Sequence, residues 1–352
     1  MPGIDEIRAG VDRHLSDFVT ERSTSLQEID AHLIPVAEAM REYVLSGGKR
    51  FRPIFAYLGY LGAGGQPNES VLRACSALEL VHVCALIHDD LMDGSDSRRS
   101  LPSIHKRFAS LHATNRYYGS EVQFGAAAAI LLGDLALSWS DQMLAQAELD
   151  IDATKRSLPV FYAMREELMA GQYLDVLAGA IATTDLERAL KVATLKSGRY
   201  SIERPMQFGA AIAGSASRLT KTYSDYGLPL GQAFQLRDDL LGVYGDPAVT
   251  GKPAGDDIRE GKRTVLIALT MERASASAQS EVIAALGDSQ LTPAKVERIR
   301  ALIEECGARH ETERLIEARF QDALSAIKAG GFDPEIATAL SNMAMIATKR
   351  SS

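Results

Sequence analysis

Two acidic clusters, far apart in the chain, contain the residues best suited to chemistry. Asp89, Asp90 and Asp93 form the first cluster, and Asp238 and Asp239 form the second. Each cluster lies in apolar sequence of helical character and is followed by basic residues. Carboxylates that face one another across a cavity repel unless cations lie between them. Hard divalent ions with oxygen ligands, above all Mg2+, fit such a gap and bind phosphate groups in turn. The pattern therefore favours chemistry on a diphosphate.

The first cluster ends a long predicted helix that begins after Asn68. Along it His82, Asp89 and Asp93 follow at steps of seven and four, so they share one face. Asp89 and Asp93 are one turn apart and can reach one ion or two adjacent ions, whereas Asp90 points about 100 degrees away and is placed to support them. A solvated acidic helix end is the alternative. It is disfavoured because anions at the negative end of a helix dipole need compensation, which a metal supplies.

The residues of the second cluster are also spaced to share one face of an apolar helix. Gln235, Asp238 and Gly242 lie at steps of three and four, close to one face. Lys252 and Lys262 follow in a loop rich in Gly, Asp and Lys, and long irregular loops inside compact domains are often functional. Solvated loop lysines are the alternative for either residue alone.

A third basic segment and one polar pair complete the candidates. Lys49, Arg50 and Arg52 follow Gly47-Gly48, and arginine binds phosphate oxygens in pairs. The segment lacks the spacing of a Walker loop, and a plain turn with solvated charges is the alternative. Lys196 lies on an apolar helix beside Ser197, where core hydrogen bonding is the alternative to a binding role.

Composition limits the classes of protein that fit. The chain has 352 residues, a formal net charge of −8 and 46% hydrophobic residues, which favours a globular protein and disfavours a nucleic-acid partner. Its three cysteines form no disulfide or zinc pattern, which is typical of a reducing cytoplasm. No signal sequence is recognised at the N-terminus, and the most apolar run, 124–137, is shorter than the ~20 residues of a membrane span. We therefore expect no transmembrane segment.

Apolar residues recur at steps of three and four along most of the chain, which predicts helices and no alternating strands. We expect a break near Ser23-Thr24-Ser25 within the first helical region, and loops at 62–67 and 245–263. Further helices are predicted over 113–148, 154–178, 185–214, 219–244, 265–286, 293–307, 310–329 and 334–348. One domain covering 1–352, with frayed termini at about 1–8 and 349–352, is expected.

Taken in order, these segments resemble the all-trans isoprenyl diphosphate synthases between about residues 45 and 264. The matching segments are Gly-Gly-Lys-Arg-Phe-Arg-Pro at 47–53, Asp89–Asp93 with Arg98-Arg99, Gly133-Asp134, Gly171-Gln172, Lys196-Ser197, Phe234–Asp239, and the loop from Gly251-Lys252 to Lys262. The loop sequence is especially similar to actinobacterial geranylgeranyl diphosphate synthases. The resemblance implies an all-α fold, a single large helical bundle around a central cavity, and a homodimer. It also implies Mg2+-dependent, head-to-tail condensation of an allylic diphosphate with isopentenyl diphosphate.

The resemblance also implies a role for each matching residue. Asp89, Asp93 and Asp238 would ligate Mg2+, with three ions in the site, and Asp90 and Asp239 would support them. The allylic diphosphate would be bound through these ions and by Arg98, Lys196, Lys252 and Lys262. Isopentenyl diphosphate would be bound by Lys49, Arg52, His82 and Arg99. Gln235, together with the Ser197 hydroxyl or nearby backbone carbonyls, would face the developing allylic cation.

Product length is expected to depend on the helix that carries Asp89. Cys84 and Ala85 lie one turn before it and Val81 two turns before it, on the path of the growing chain. Short-product members of the family commonly carry an aromatic residue there, whereas these positions are small. We therefore predict a product of twenty carbons or longer, with twenty favoured. The alternative is that Cys84 and Ala85 only pack and another helix ends the tunnel.

The sequence departs from the family pattern at one notable place, since Gly242 stands where many relatives have a third aspartate. Loss of that supporting group is expected to weaken metal affinity while the direct ligands remain. The alternatives to a twenty-carbon synthase are a longer-chain polyprenyl diphosphate synthase, a terpene cyclase and a non-catalytic synthase subunit. A cyclase normally lacks a second Asp-Asp motif of this kind, and non-catalytic subunits typically lose the aspartates.

Overall fold

The computed structural model describes residues 1–98, 101–246, 255–288 and 290–349. Described residues are overwhelmingly helical, and the β-structure among them is a ladder of two-residue strands, β1 Ser97–Arg98 and β2 Leu101–Pro102. The predicted all-α class is confirmed. By its internal contacts the chain divides into two compact units, Met1–Leu158 with Phe208–Gly214, and Pro159–Gln207 with Ser215–Ser352. Whether the chain acts as one domain stays a prediction.

The first unit is built around one buried helix that carries the first acidic cluster. Its elements are α1 Ile4–Ile29, a 3-10 turn Ala31–Leu33, α2 Ile34–Leu45, α3 Phe51–Gly62, α4 Glu69–Asp93, α5 Ile104–Asn115 and α6 Glu121–Ala145. Helix α4 begins where the sequence predicts, because the Asn68 side chain accepts a hydrogen bond from the Val71 amide at 3.1 Å. It ends at Gly94, whose φ of 70° suits glycine. Helix α4 packs against α1, α3, α5 and α6, which fixes the direction of its acidic end.

The second unit is organised around the helix that carries the second acidic cluster. Its elements include most of α7 Ile151–Ala180, then α8 Leu186–Ala193, a π-helical segment Thr194–Glu203, α9 Arg204–Ile212 in part, α10 Ala216–Tyr244, α11 Asp256–Arg259, α12 Val265–Arg273, α13 Ala276–Ala285, α14 Pro293–Glu305, α15 Ala308–Ala329 and α16 Pro334–Thr348. Helix α10 packs against the π-helical segment, α15 and α16. Leu236, Leu240 and Val243 of α10 enter an apolar core with α12 and α14.

Three predicted helix boundaries are wrong. Helix α1 continues through 23–25, because the hydroxyls of Thr24 and Ser25 bond to carbonyls one turn back instead of ending the helix. The helix predicted over 113–148 is interrupted before Glu121, where Ser120 caps α6, and α5 precedes it. The helix predicted over 265–286 is two helices, because the Ser275 hydroxyl caps a new one.

Two helices, α4 and α6, are long and apolar enough to cross a membrane by length and composition alone. In α4 72% of the relevant window is buried within the protein, which identifies a core helix, whereas in α6 the share is 39%. The apolar run 124–137 belongs to this 25-residue helix, and one or two helices of this kind are weak evidence for a membrane span.

Candidate active site

The end of α4 presents two partly exposed aspartates around a fully buried one. Asp89 and Asp93 are half-buried, and Asp90 is buried completely. Oδ1 of Asp90 lies 2.7 Å from Nε and 2.6 Å from Nη2 of Arg98, and its Oδ2 accepts a hydrogen bond from the Tyr43 hydroxyl at 2.9 Å. Burial lowers the pKa of Arg98, but the charge and the hydrogen bonding of Asp90, with smaller contributions from Tyr43 and Asp89, together outweigh burial and raise that pKa. Asp90 is thus fixed within the protein by Arg98 and Tyr43, and its role in supporting the metal ligands stays a prediction.

Arg98 also lies near a predicted metal ligand. Its Nη2 is 3.7 Å from Oδ2 of Asp89, and its side chain is only 17% exposed. A predicted phosphate ligand is therefore held by two carboxylates in this structure. The structure does not test its role toward a substrate, which stays a prediction. Arg99, predicted as its neighbour in phosphate binding, lies outside the described residues.

The predicted chain-length residues lie on the same helix. Val81 and Cys84 are buried, and Ala85 is half-buried. Sγ of Cys84 is 3.7 Å from Nδ1 of His88, whose Nε2 is 3.1 Å from the carbonyl oxygen of Ile130 in α6. A side chain at Gly133 would meet the His88 ring at 2.0 Å, which explains the glycine at that position. The influence of Val81, Cys84 and Ala85 on product length is not tested and stays a prediction.

The three cationic side chains of the basic loop between α2 and α3 differ in how deeply they are buried. Arg50 is buried, whereas Lys49 and Arg52 are half-buried. Gly47 and Gly48 adopt φ of 84° and 138°, values that favour glycine, and they allow the sharp turn into α3. The two cations predicted to bind isopentenyl diphosphate are thus the more exposed ones.

Arg50 fixes that loop from inside, a role the sequence did not reveal. Its guanidinium donates hydrogen bonds to Oδ1 of Asp12 and Oε1 of Glu79, each at 2.8 Å, and to the Val44 carbonyl at 3.0 Å. These bonds offset the cost of burying its charge and the left-handed backbone at φ 49°. Glu79 lies on α4 on the face shared with His82, which is half-buried.

In the second unit, the π-helical segment positions Lys196 and Ser197. Nζ of Lys196 is 2.9 Å from Oδ2 of Asp175, and the Ser197 hydroxyl donates a hydrogen bond to Oε1 of Gln235 on α10. The contact depends on a close backbone approach, because a Cβ at Gly231 would lie 2.1 Å from the Cα of Gly198. Wide π turns of this kind occur frequently at functional sites.

The second acidic cluster again pairs a partly exposed aspartate with a buried one. Asp238 is half-buried, and Asp239 is 2% exposed. Asp239 accepts hydrogen bonds from the Gln235 side-chain amide at 2.9 Å and the Val265 backbone amide at 3.2 Å. Burial raises the pKa of Asp239 to about 8, the charges of Asp257 and Asp238 act in the same direction, and the two hydrogen bonds oppose the shift.

The lysine after this cluster is held by carboxylates. Nζ of Lys262 is 2.7 Å from Oε2 of Glu260 and 3.7 Å from Oδ1 of Asp257, and its side chain is 19% exposed. Lys252, the other predicted phosphate ligand of this loop, lies outside the described residues.

Within the described ranges, no three His, Cys, Asp or Glu side chains are grouped closely enough to hold a metal ion. That result fits the way proteins bind Mg2+, through one or two carboxylates completed by substrate phosphates and water. Asp89 and Asp93 lie one turn apart on α4, and their role as such a pair of donors stays a prediction.

Comparison with known proteins identifies the family. The polyprenyl synthetase family model matches residues 35–305. The geranylfarnesyl diphosphate synthase of Aeropyrum pernix is 30% identical over 91% of this chain and 93% of its own length. The chain belongs to the polyprenyl synthetase family. The geranylgeranyl diphosphate synthase of Mycobacterium tuberculosis is 29% identical over 83% of this chain and 78% of its own.

Among solved structures, a geranylgeranyl pyrophosphate synthase from Corynebacterium glutamicum, complexed with isoprenyl diphosphate and magnesium, has a TM-score of 0.95. It is 38% identical, and the match covers 99% of this chain and 100% of that one. The predicted resemblance, the isoprenoid synthase type of fold and the prenyltransferase class are confirmed.

Proposed function

We propose that this prenyltransferase condenses an allylic diphosphate with isopentenyl diphosphate and releases geranylgeranyl diphosphate as its main product. The observation that carries the proposal is the construction of the two aspartate motifs. On both α4 and α10 a buried aspartate is fixed by hydrogen bonds, and its half-buried neighbour is left at the surface of the helix. The family membership and the relatives named above support the product class.

Mg2+ fits these residues, because each motif offers hard carboxylate oxygens. Asp89, Asp93 and Asp238 would hold it, and Asp90 and Asp239 would support them through the contacts described. We propose three ions in each site. Bound Mg2+ neutralises the charge that develops on the departing diphosphate.

Lysine and arginine side chains complete the binding of the two substrates. Lys196 and Lys262, with Lys252 and Arg98, would bind the allylic diphosphate, and their charges stabilise the leaving group more as the bond breaks. Lys196 and Lys262 are already oriented by carboxylates 2.9 and 2.7 Å away. Lys49, Arg52, His82 and Arg99 would bind isopentenyl diphosphate.

Oxygen atoms beside the π-helical segment would stabilise the allylic cation. Gln235 is fixed at both ends, since its Oε1 accepts from Ser197 and its Nε2 donates to Asp239. This arrangement directs the partial negative charge of its carbonyl oxygen toward the Ser197 side. The isopentenyl double bond then attacks the cation, and the proton lost afterwards goes to the released diphosphate.

The experiment is an assay of purified protein with Mg2+, isopentenyl diphosphate and each allylic diphosphate in turn, followed by chromatography of the products. A twenty-carbon diphosphate, formed only with Mg2+, is the expected result. Longer diphosphates would support a long-chain synthase instead. A hydrocarbon would support a cyclase, and no product would support a non-catalytic subunit.

We further propose that the protein is a cytoplasmic homodimer. Helix α6 leaves Val122, Ile130 and Leu131 exposed by 72, 50 and 65%, and large exposed apolar patches mark protein–protein or membrane interaction sites. A second copy covering this face would explain it without a membrane. Sedimentation should give a dimer for the native chain and a smaller species for Leu131→Glu. Recovery of the native chain in the membrane fraction of cells would contradict the proposal.

A further inference from the structure

One carboxylate of α7 holds two arginines of the π-helical region together. Glu167 accepts a hydrogen bond from Nη1 of Arg199 at 2.6 Å, and two more from Nε and Nη2 of Arg204 at 2.8 and 2.6 Å. Its side chain is 18% exposed, and bidentate bonds between arginine and a carboxylate are among the stronger hydrogen bonds in proteins. Burial alone would raise the pKa of Glu167, but the hydrogen bonds and charges of Arg204 and Arg199 together lower it, so the group is ionised at neutral pH.

The two arginines meet because the helix is widened between them. The Arg204 amide donates to the Arg199 carbonyl five residues back, which is the hydrogen bond of a π turn. At about 100 degrees per residue, side chains five positions apart in an α-helix would point about 140 degrees away from one another. In a π turn they lie nearly one above the other. Glu167 therefore favours the π register over the α register, because the π register brings both guanidiniums to one carboxylate.

The same register decides where Lys196 and Ser197 point. Both residues come before Arg199 in the π-helical segment. A change from the π to the α register shortens the turn by one residue, which would rotate the earlier side chains by about 100 degrees relative to the later ones. Lys196, now 2.9 Å from Asp175, and Ser197, now bonded to Gln235, would then lose these partners.

Helix α7 contacts the π-helical segment along one face. Glu167, Gly171 and Asp175 follow at steps of four, so they share that face. A Cβ at Gly171 would lie 2.9 Å from Cβ of Leu195 and 3.0 Å from the amide nitrogen of Lys196. The glycine thus lets the segment lie directly against α7, between the contacts of Glu167 and the contact of Asp175.

We propose that Glu167 is a positioning residue for Lys196, and that it acts through Arg199 and Arg204 by holding the π register. This inference rests on the function proposed above, in which Lys196 binds the allylic diphosphate. It gives a role to a carboxylate that lies outside the sequence motifs and affects the reaction only through Lys196.

The test separates the positioning of Lys196 from a general loss of stability. Glu167→Gln removes the charge and keeps the size of the side chain. Glu166→Gln is the matched control, because Glu166 is the preceding residue of α7 and is exposed. Arg199→Met removes one guanidinium and leaves the bidentate pair with Arg204, so it supplies a second variant if Glu167→Gln does not fold. Initial rates are measured against each substrate with the other saturating, and chemical denaturation measures stability.

Glu167→Gln should lower kcat/KM for the allylic diphosphate by about 10- to 100-fold, because displacing a binding group by about 1 Å from a distance can cost that much. The KM for isopentenyl diphosphate should stay at its native value, since Lys196 is not among its predicted ligands. Arg199→Met should lower the same kcat/KM by less, and Glu166→Gln should leave both parameters unchanged.

A double-mutant cycle with Lys196→Ala decides whether the effect passes through Lys196. Lys196→Ala alone should also lower kcat/KM for the allylic diphosphate. Once Lys196 is absent, Glu167→Gln should lower it hardly any further, because residues that act as a unit give strongly non-additive losses. A carboxylate that only stabilised the fold would give the same loss in both backgrounds.

Four results would each overturn the inference and leave the proposed function intact. They are a native kcat/KM in Glu167→Gln, an equal loss in Glu166→Gln, a rise in the KM for isopentenyl diphosphate that matches the allylic loss, and full additivity with Lys196→Ala. If Glu167→Gln does not fold, native kinetics in Arg199→Met overturn it instead. A native chain that forms no condensation product would overturn the proposed function and this inference with it.

Discussion

The helices α4 and α10 carry similar aspartate motifs but neutralise their buried aspartates differently. On α4, Asp90 is paired with a cation, Arg98, and accepts a further hydrogen bond from Tyr43. On α10, Asp239 receives only neutral donors, the amides of Gln235 and Val265, and within the described part of the chain it forms no ion pair. The first motif therefore has a compensating charge within the described part of the fold, whereas the second has only neutral donors there.

The difference shows which motif is prepared before a ligand arrives. A buried ion pair with good geometry is costly to break, because removing one partner leaves the other charge uncompensated. A buried carboxylate among neutral donors and neighbouring aspartates stays disfavoured in its charged form until a cation approaches. We therefore expect the α4 motif to contribute to stability, and the α10 motif to respond more strongly to Mg2+ and diphosphate.

The largest expected effect comes from neutralising each buried aspartate in turn. Asp90→Asn should lower the free energy of unfolding by about 3–5 kcal/mol, because the Arg98 charge is left buried without its partner. Asp239→Asn should lower it by no more than about 1–3 kcal/mol, since one hydrogen bond is lost and neither described donor to Asp239 is a charged group. Chemical denaturation without metal measures both.

Arg98→Met combined with Asp90→Asn supplies the control for that comparison. Because both charges are then absent, much of the stability lost in Asp90→Asn should return. Equal losses in Asp90→Asn and Asp239→Asn would show that the two motifs are compensated in the same way.

The half-buried aspartates should affect rate rather than stability. Asp89→Asn and Asp238→Asn should each lower kcat by about 100- to 1,000-fold, the usual effect of removing one group that stabilises transition-state charge. If Asp89 and Asp238 act on the same diphosphate, the kcat of the double variant should fall by far less than the product of the two single-variant reductions. Steady-state kinetics with saturating Mg2+ measures this, and independent, multiplying losses would contradict a shared role.

Much of this architecture could be predicted from local sequence, and the parts that could not depend on tertiary contacts. Asn68 correctly predicts the start of α4, and the helix predicted over 334–348 is observed as Pro334–Thr348. The partners of the buried groups could not be predicted, because nothing in the spacing of Asp90 identifies Arg98 or Tyr43 as its neighbours. Likewise the Asp257 carboxylate lies beside Gly242, fifteen positions earlier in the chain, and no local sequence pattern predicts that tertiary contact.

Each unit contains a closely packed glycine, and replacing each glycine by alanine should have a smaller effect on stability than the Asp90 substitution. Gly231→Ala would place a Cβ 2.1 Å from the Cα of Gly198, which is backbone and cannot move aside. It should lower the free energy of unfolding by about 1–3 kcal/mol and also lower kcat, because the Ser197–Gln235 contact is displaced. In Gly133→Ala the obstacle is the His88 side chain, which can rotate, so the loss should be smaller. Denaturation curves of the two variants measure this, and equal or reversed losses would contradict the expectation.

Substitutions before Asp89 on α4 should change the reaction rate least and the chain length of the product most. Cys84→Phe and Ala85→Phe would each add a ring on α4 one turn before Asp89, on the proposed path of the growing chain. Both variants should therefore shorten the main product from twenty carbons to fifteen, while consumption of the first allylic substrate stays near native. Chromatography of the products measures the shift.

Met92→Phe is a suitable control for the two product-length variants, because Met92 is on the same helix and 50% exposed. Its product should stay at twenty carbons. An unchanged product in both Cys84→Phe and Ala85→Phe would show that these residues only pack against their neighbours, such as His88, and that another helix ends the tunnel. A shortened product in only one of them would identify which side of α4 faces the growing chain, since the two positions are about 100 degrees apart around the helix.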